Sequence, residues 1–341
     1  MRVLTLVAAV ALVVPVPASM QSPAPSEHGP LVIGARSFSP IVENVDAVMK
    51  FYAALGLKAP PPDKGDTYPW DEEAWHYELH GGQAPRSQMR FTYATVPGAV
   101  PPATPLLVEP VEHRNIDRKP HPMRVQDPGT TTLVLLVRDI EAAARALPSS
   151  SHESVRRVTV YGGSAKAMTV TVPGAHLVEL LQLDPLPQTT AAADTNVIGA
   201  WVRVTVEDLE RTLRLYQDAF GLPFTELTVT NAALGNLIGE STTAKVRLAG
   251  ATLPGTRMRL EFLEVSGVGR HRLAARIQDP GAARLQLTVR NIDEAMRALR
   301  NAGPSTVASN GIITQPQYRV AVVSDLNGLF LVLTDQRAAQ R

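Results

Sequence analysis

The chain contains no cysteine. That absence excludes disulfides, thiolate nucleophiles and cysteine-based metal sites. No excess of charge of either sign exists: 33 basic and 32 acidic residues leave a net charge of +1 over 341 residues. Bulk electrostatics therefore give no reason to expect nucleic acid or an anionic membrane as a partner. Long apolar runs are missing too. Val3 to Val14, interrupted only by Thr5, falls short of the roughly 18 residues that span a bilayer. Arg2 before it and Val16-Pro17-Ala18 after it complete the pattern of a secretory signal peptide over residues 1–20. The expectation is an exported protein, periplasmic or extracellular, with no membrane association once the signal is removed. Without disulfides, packing alone must stabilise it, and 45% apolar content supports a sizeable core. No glycine-rich phosphate loop, nucleophile elbow or coiled-coil heptad occurs.

What is present is a repeat. Val125 to Ile140 reads VQDPGTTTLVLLVRDI, and Ile277 to Ile292 reads IQDPGAARLQLTVRNI, 152 residues later without a gap. Ordered self-similarity of this kind is the trace of duplicated structure. Asp-Pro-Gly suits a tight turn, since proline fixes φ and glycine accepts positive φ. The motif therefore reads as a joint between structural units.

Periodicity fills in the plan. Residues 21–30 form a Pro/Ser-rich tether. Phe38–Val42 reads as a strand, followed by an amphipathic helix from Val45 to Leu57 with Val45, Val48, Met49, Tyr52 and Leu55 on one face. A long Pro/Gly-rich segment, residues 59–88, carries Trp70, Trp75 and Tyr77. Such loops usually cover ligands or move. Strands are predicted at 89–96, 106–111, 132–137, 155–160, 167–172 and 176–183, with a helix over 139–146 N-capped by Asp139. After a linker at 185–196 the order recurs: strand 201–206, helix 209–220 closed by Gly221, strands 245–248, 258–265 and 285–289, helix 293–301, strands 318–323 and 329–333. The fold class expected is α+β: four β-α-β-β-β units, paired within each half into two tandem domains, 31–184 and 197–335, with curved mixed sheets. Each such concavity is a natural ligand site.

The order of motifs resembles the vicinal oxygen chelate superfamily, which includes glyoxalases, bleomycin-resistance proteins and extradiol dioxygenases. Asn44-Val45-Asp46 through Phe51-Tyr52 to Gly56-Leu57, and Asp208-Leu209-Glu210 through Leu215-Tyr216 to Phe220-Gly221-Leu222, resemble its first-helix signature. Val137-Arg138-Asp139-Ile140 and Val289-Arg290-Asn291-Ile292 resemble its second helix entry. Pro173 to Leu180 and Asp325 to Leu329 resemble its closing hairpin. The resemblance implies one metal site per pair of units, with a His on the first strand, a His or Gln on the strand after the midpoint and a Glu on the last. In the first half those positions fall on Ser37, Thr132 and Glu179. In the second they fall on Trp201, Arg284 and Val332. Only Glu179 is a metal-ligand type, so the family metal is expected to be absent and no cofactor is required.

Three further sets of residues carry chemistry. His76-Tyr77-Glu78-Leu79-His80 would place His76, Glu78 and His80 on one strand face, a pattern able to form a facial metal triad. The alternative is a solvated loop that covers a ligand together with Trp70 and Trp75. Arg118 and Arg124 lie in a basic run, and Arg270 and Arg276 copy them at the same 152-residue spacing. They could fork onto an anionic ligand or pair with acids to fix the joint. Arg284 either places a cation inside a cavity or points outward.

The leading expectation is an exported small-molecule-binding protein of this type, its cleft lined by Ser37, Thr132 and Glu179 and covered by the Trp70–His80 segment. Its alternative is a divalent-metal lyase or dioxygenase using Fe, Mn, Ni or Zn on His76, His80 and Glu179. A third is a structural or oligomerisation module. Beyond a small-molecule ligand, a homodimer is the one partner assembly the sequence leaves open.

Overall fold

The computed structural model describes residues 29–60, 70, 88–98, 103–172, 174, 176–229, 244–302, 306–307, 311–314 and 316–336. Unit 1 comprises β1 (Val32–Pro40), α1 (Val45–Ala54), β2 (Gln88–Phe91), β3 (Ala94–Thr95), β4 (Leu107–Val108) and β5 (Val111–Arg114). Unit 2 comprises β6 (Thr131–Val137), α2 (Ile140–Ala146), β7 (Arg156–Val160), β8 (Gly163–Thr171) and β9 (Leu177–Asp184). Unit 3 comprises β10 (Val197–Val206), α3 (Leu209–Phe220), β11 (Thr225–Leu227), β12 (Lys245–Thr252) and β13 (Arg259–Ser266). Unit 4 comprises β14 (Ala283–Val289), α4 (Ile292–Ala302), β15 (Thr306–Val307), β16 (Ile313–Thr314), β17 (Tyr318–Ser324) and β18 (Phe330–Gln336).

The fold is α+β, with four units paired into two curved mixed sheets. The pairing differs from the sequence expectation in one decisive respect. Units do not pair within halves. β1 runs antiparallel to β14, so unit 1 joins unit 4 in the sheet β15-β17-β18-β14-β1-β4-β3. β6 runs antiparallel to β10, so unit 2 joins unit 3 in the sheet β11-β12-β13-β10-β6-β9-β8-β7. The boundaries 31–184 and 197–335 therefore mark halves of the sequence, and each half contributes one unit to each sheet. The physical reason lies in the connections. The linker at 185–196 is short, so β10 pairs beside the unit just left, while unit 1 is left to close with unit 4.

Alternation along the central strands shows how each sheet has two buried faces. In β6, Leu133, Leu135 and Val137 enter the main core with the helices, while Val134 and Leu136 enter a separate cluster on the concave face. A strand buried on both sides reads as a continuous apolar run, and TTLVLLV is buried throughout. The helices cover the convex faces. Val45, Val48, Met49 and Tyr52 of α1, and Leu209, Leu215, Tyr216, Ala219 and Phe220 of α3, belong to the same core. α3 ends on Gly221 in the left-handed region (φ 69°), which costs glycine nothing sterically.

One contact recurs in all four units and ties each helix to a strand of its own unit. The first-turn amide of each helix is accepted by a polar residue on a later strand of that unit: Val45 by Glu112, Ile140 by Gln182, Leu209 by Glu264 and Ile292 by Asp335. The first helical amides have no intrahelical partner, so a buried helix start needs such an acceptor.

The two QDPG turns lock the joints reciprocally. Asp127 accepts from Arg124 and from the His271 amide. Asp279 accepts from Arg276 and from the Lys119 amide. Lys119 and His271 are themselves 152 residues apart. Arginine pairing and these amide bonds hold both carboxyls below the usual carboxylate range despite partial burial. Gly129 (φ 96°) has no room for a side chain, because a Cβ would stand 2.8 Å from the Asn327 carbonyl oxygen. Arg124 thus serves the joint, the second of the two roles open to it. Arg118 lies half-buried in the segment leading to the turn.

Candidate functional site

Each sheet curls into a cup, and crossed pairing decides which residues share one. Thr132 and Glu179 lie in the β6–β10 cup. Ser37 lies in the β1–β14 cup, opposite Gln286. The cleft expected from Ser37, Thr132 and Glu179 together is therefore divided between two cups. The cause is the unit pairing described above.

Internal symmetry identifies corresponding positions. Glu109 and Glu261 are 152 residues apart, as are Thr132 and Arg284. Ser39 and Arg203 are 164 apart, the same interval that separates the helix caps Asn44 and Asp208. Glu179 stands two residues beyond Leu177, the partner of Thr132. Val332 stands two beyond Phe330, the partner of Arg284. One cup thus holds Arg203, Glu261, Thr132 and Glu179, and the other holds Ser39, Glu109, Arg284 and Val332 at matching places.

The β6–β10 cup is filled by its own charges. Arg203 donates to Glu179 (Nη1 to Oε2, 2.5 Å) and to Glu261 (Nε to Oε2, 2.9 Å), with all three side chains at most 4% exposed. The Tyr161 hydroxyl donates to Glu261 Oε1 at 2.8 Å, and Arg203 Nη2 donates to that hydroxyl at 3.2 Å. Arg259 lies 3.5 Å from Glu261 and covers the rings of Trp201 and Tyr161, 4.5 and 5.0 Å from their centroids. The buried guanidinium of Arg203 faces two buried carboxylates, and the half-buried Arg259 adds a second positive charge at the rim. The neighbouring carboxylates hold the Arg203 guanidinium well above its ordinary range against the opposing effect of burial. Trp201, expected at a ligand position, forms the wall of this network and contributes no donor to it.

The β1–β14 cup is built differently. Ser37 and Ser39 hydroxyls donate to Glu109 Oε2 at 3.3 and 2.9 Å, and Ser37 also lies 3.2 Å from Gln286 Oε1. Glu109, Gln286 and Val332 are half-buried. Arg284 is 5% exposed and points inward, which answers the alternative left open by the sequence. Its Nη2 donates to His113 Nε2 at 2.8 Å, and its Nη1 contacts Met89 Sδ at 3.8 Å. A guanidinium only donates, so His113 accepts at Nε2 and carries its proton on Nδ1. The Nε of Arg284 has no partner. Burial pushes its pKa down to about 10, opposed by the charge of Glu109, which still leaves it a cation at neutral pH.

Trp70 rests on the β2–β5 ribbon, with the guanidiniums of Arg90 and Arg114 4.9 and 4.0 Å from its ring centre. Arg90 in turn pairs with Asp46 and with Glu112, the acceptor at the start of α1. Trp75, His76 and His80 lie outside the described residues. Among the described residues no group of three or more His, Cys, Asp or Glu side chains could hold a metal ion. Sequence reasoning missed Arg203, Glu261 and Glu109. The 152-residue spacing links Glu109 to Glu261, and the 164-residue interval between helix caps leads from Ser39 to Arg203.

Four units in two cupped sheets define the vicinal oxygen chelate fold. No sequence-family model and no curated protein matches the chain. Among solved structures it is similar to glyoxalase I from Zea mays, at TM-score 0.53 and 16% identity over 88% of this chain and 92% of that one. It is similar also to a candidate dioxygenase from Bacillus subtilis, at TM-score 0.52 and 11% identity over 91% of this chain and 87% of that one. Both likenesses extend over the four units, and at these identities they concern the fold alone.

Proposed function

We propose that this chain is a small-molecule-binding protein of the glyoxalase/bleomycin-resistance type that works without the family metal, and that its ligand enters the β1–β14 cup. One observation carries this reading: the guanidinium of Arg203 bonds to both Glu179 and Glu261 inside the other cup. A divalent ion there would need the same carboxylate oxygens and would sit against a fixed positive charge. Thr132 adds only a hydroxyl, a poor ligand for Fe, Mn, Ni or Zn. The donor set does not fit a divalent metal of a lyase or dioxygenase. The proposed triad of His76, His80 and Glu179 meets the same objection, because Glu179 is already engaged by Arg203.

The β1–β14 cup supports binding for the complementary reason. Its polar groups are partly open and its buried arginine lacks a carboxylate within ion-pair distance, where Arg203 of the β6–β10 cup is held by Glu179 and Glu261. Pockets with a few convergent polar groups on an apolar wall are the usual form of small-molecule sites. The leader at residues 1–20 adds an exported setting to this proposal. Metal analysis of the purified protein tests it. The expected result is substoichiometric transition metal. A full equivalent of Fe, Mn, Ni or Zn, lost in Glu179→Gln, would overturn the metal-free reading.

A further inference from the structure

The two cups form an internal comparison. In one, an arginine meets two carboxylates supplied by the chain. In the other, Val332 stands where Glu179 would be, so one of the two carboxylates is missing. Arg284 is nevertheless buried there, with a neutral imidazole and a thioether as its contacts. Its Nε donor is unpartnered. The remaining carboxylate, Glu109, turns its Oε2 to Ser37 and Ser39 and makes no ion pair with Arg284 within 4 Å. Burying a cation without a counter-charge is costly, and arginine's fork matches a carboxylate geometrically.

We infer that the β1–β14 cup binds a small carboxylate whose charge compensates the buried Arg284, and that a hydroxyl or ammonium group next to that carboxylate donates to Glu109. The inference rests on the reading of this cup as the ligand site. A bare anion would be opposed by Glu109, so the neighbouring donor is part of the recognition. The rest of the ligand meets an apolar wall, since Met89, Phe330 and half-buried Val332 belong to one cluster here. The chemical class is therefore a hydroxy- or amino-carboxylate with an apolar substituent.

Three probes separate these elements: mandelate carries carboxylate, hydroxyl and ring; phenylacetate lacks the hydroxyl; 1-phenylethanol lacks the carboxylate. Calorimetric titration of the full chain at millimolar probe should show mandelate binding best. Arg284→Met should weaken mandelate by about tenfold or more, the usual scale for one charge-assisted contact. Arg284→Lys should recover part of that loss, and Glu109→Gln should reduce the preference for mandelate over phenylacetate. Circular dichroism and thermal melting of each variant establish that it is folded. Mandelate binding that Arg284→Met leaves unchanged would overturn the inference, as would binding of none of the three probes. A preference for 1-phenylethanol would overturn it too, while leaving the cup a ligand site. Metal content, measured separately, decides the metal-free reading whichever probe binds.

Discussion

Two arginines, Arg203 and Arg284, set the character of the two cups, and they do opposite things. Arg203 is held by Glu179 and Glu261, each almost fully buried. Removing one member of such a network leaves a buried charge without compensation, typically at about 3–5 kcal/mol. Arg203→Met should therefore destabilise the fold by about that amount, read from the urea midpoint of unfolding. Replacing Arg203, Glu179 and Glu261 together by apolar residues of similar volume should recover most of the loss, because well-packed apolar substitutes for a buried ion pair are often neutral. A triple variant as unstable as the single one would contradict this. The sequence showed Glu179 and Arg284 as unusual, yet gave no sign that Glu179 was engaged. Arg203 sits on a strand rich in valine, and a charge there reads as solvent-facing until the strand's neighbours are known. Which cup a residue enters depends on sheet pairing, a long-range property that local pattern does not carry.

At the scale of elements, the helices and most strands were legible because their periodicities and caps are strong. Asp139 caps its helix as the sequence indicates, and Asp208 does the same for α3, each accepting the amide three residues on. Less legible is how a helix of one unit docks on a hairpin of another. Tyr52 of α1 meets His176, before β9, through a 2.6 Å bond between Oη and Nε2. At the corresponding place Tyr216 of α3 donates to Asp325 at 3.1 Å. Burial depresses the His176 pKa from 6.5 to about 3, so the folded protein excludes a proton that the unfolded chain accepts. This stability is fully present above about pH 6.5 and is lost as pH falls towards 3. Burial raises Asp325 in the opposite sense: its contribution is present below the ordinary carboxylate range and fades as pH rises through the elevated value. His176→Phe should accordingly flatten the pH dependence of unfolding free energy below pH 6.5, by a slope of about 1.4 kcal/mol per pH unit for one proton. Equal slopes in both proteins would refute the assignment.

For the whole molecule, the crossed pairing of units is the feature that matters most. Four units in the right order were readable from the repeated QDPG motif and the two helix signatures, but the partner of each unit was not. The QDPG turns belong to this crossing, since each Asp bonds an amide contributed by the other half of the chain. A consequence is that residues 29–184, expressed alone, should fail to fold as a monomer. β1 and β6 would each lose the antiparallel partner along one full edge. A cooperative thermal transition in that monomeric fragment would contradict the pairing.

Arg203 stands between Glu179 and Glu261 in the β6–β10 cup, and on the proposed reading that cup takes no metal. Titration of Ni²⁺ and Mn²⁺ into the full chain and into Arg203→His, followed by calorimetry and thermal melting, tests it most directly. The wild type should bind neither ion in this cup. In Arg203→His an imidazole joins Glu179 and the released Oε2 of Glu261, whose Oε1 keeps Tyr161 and Arg259, and the variant should gain a site that stabilises it and that Glu179→Gln removes. Wild-type binding that Glu179→Gln abolishes, or an Arg203→His variant that gains no affinity for either ion, would contradict the account.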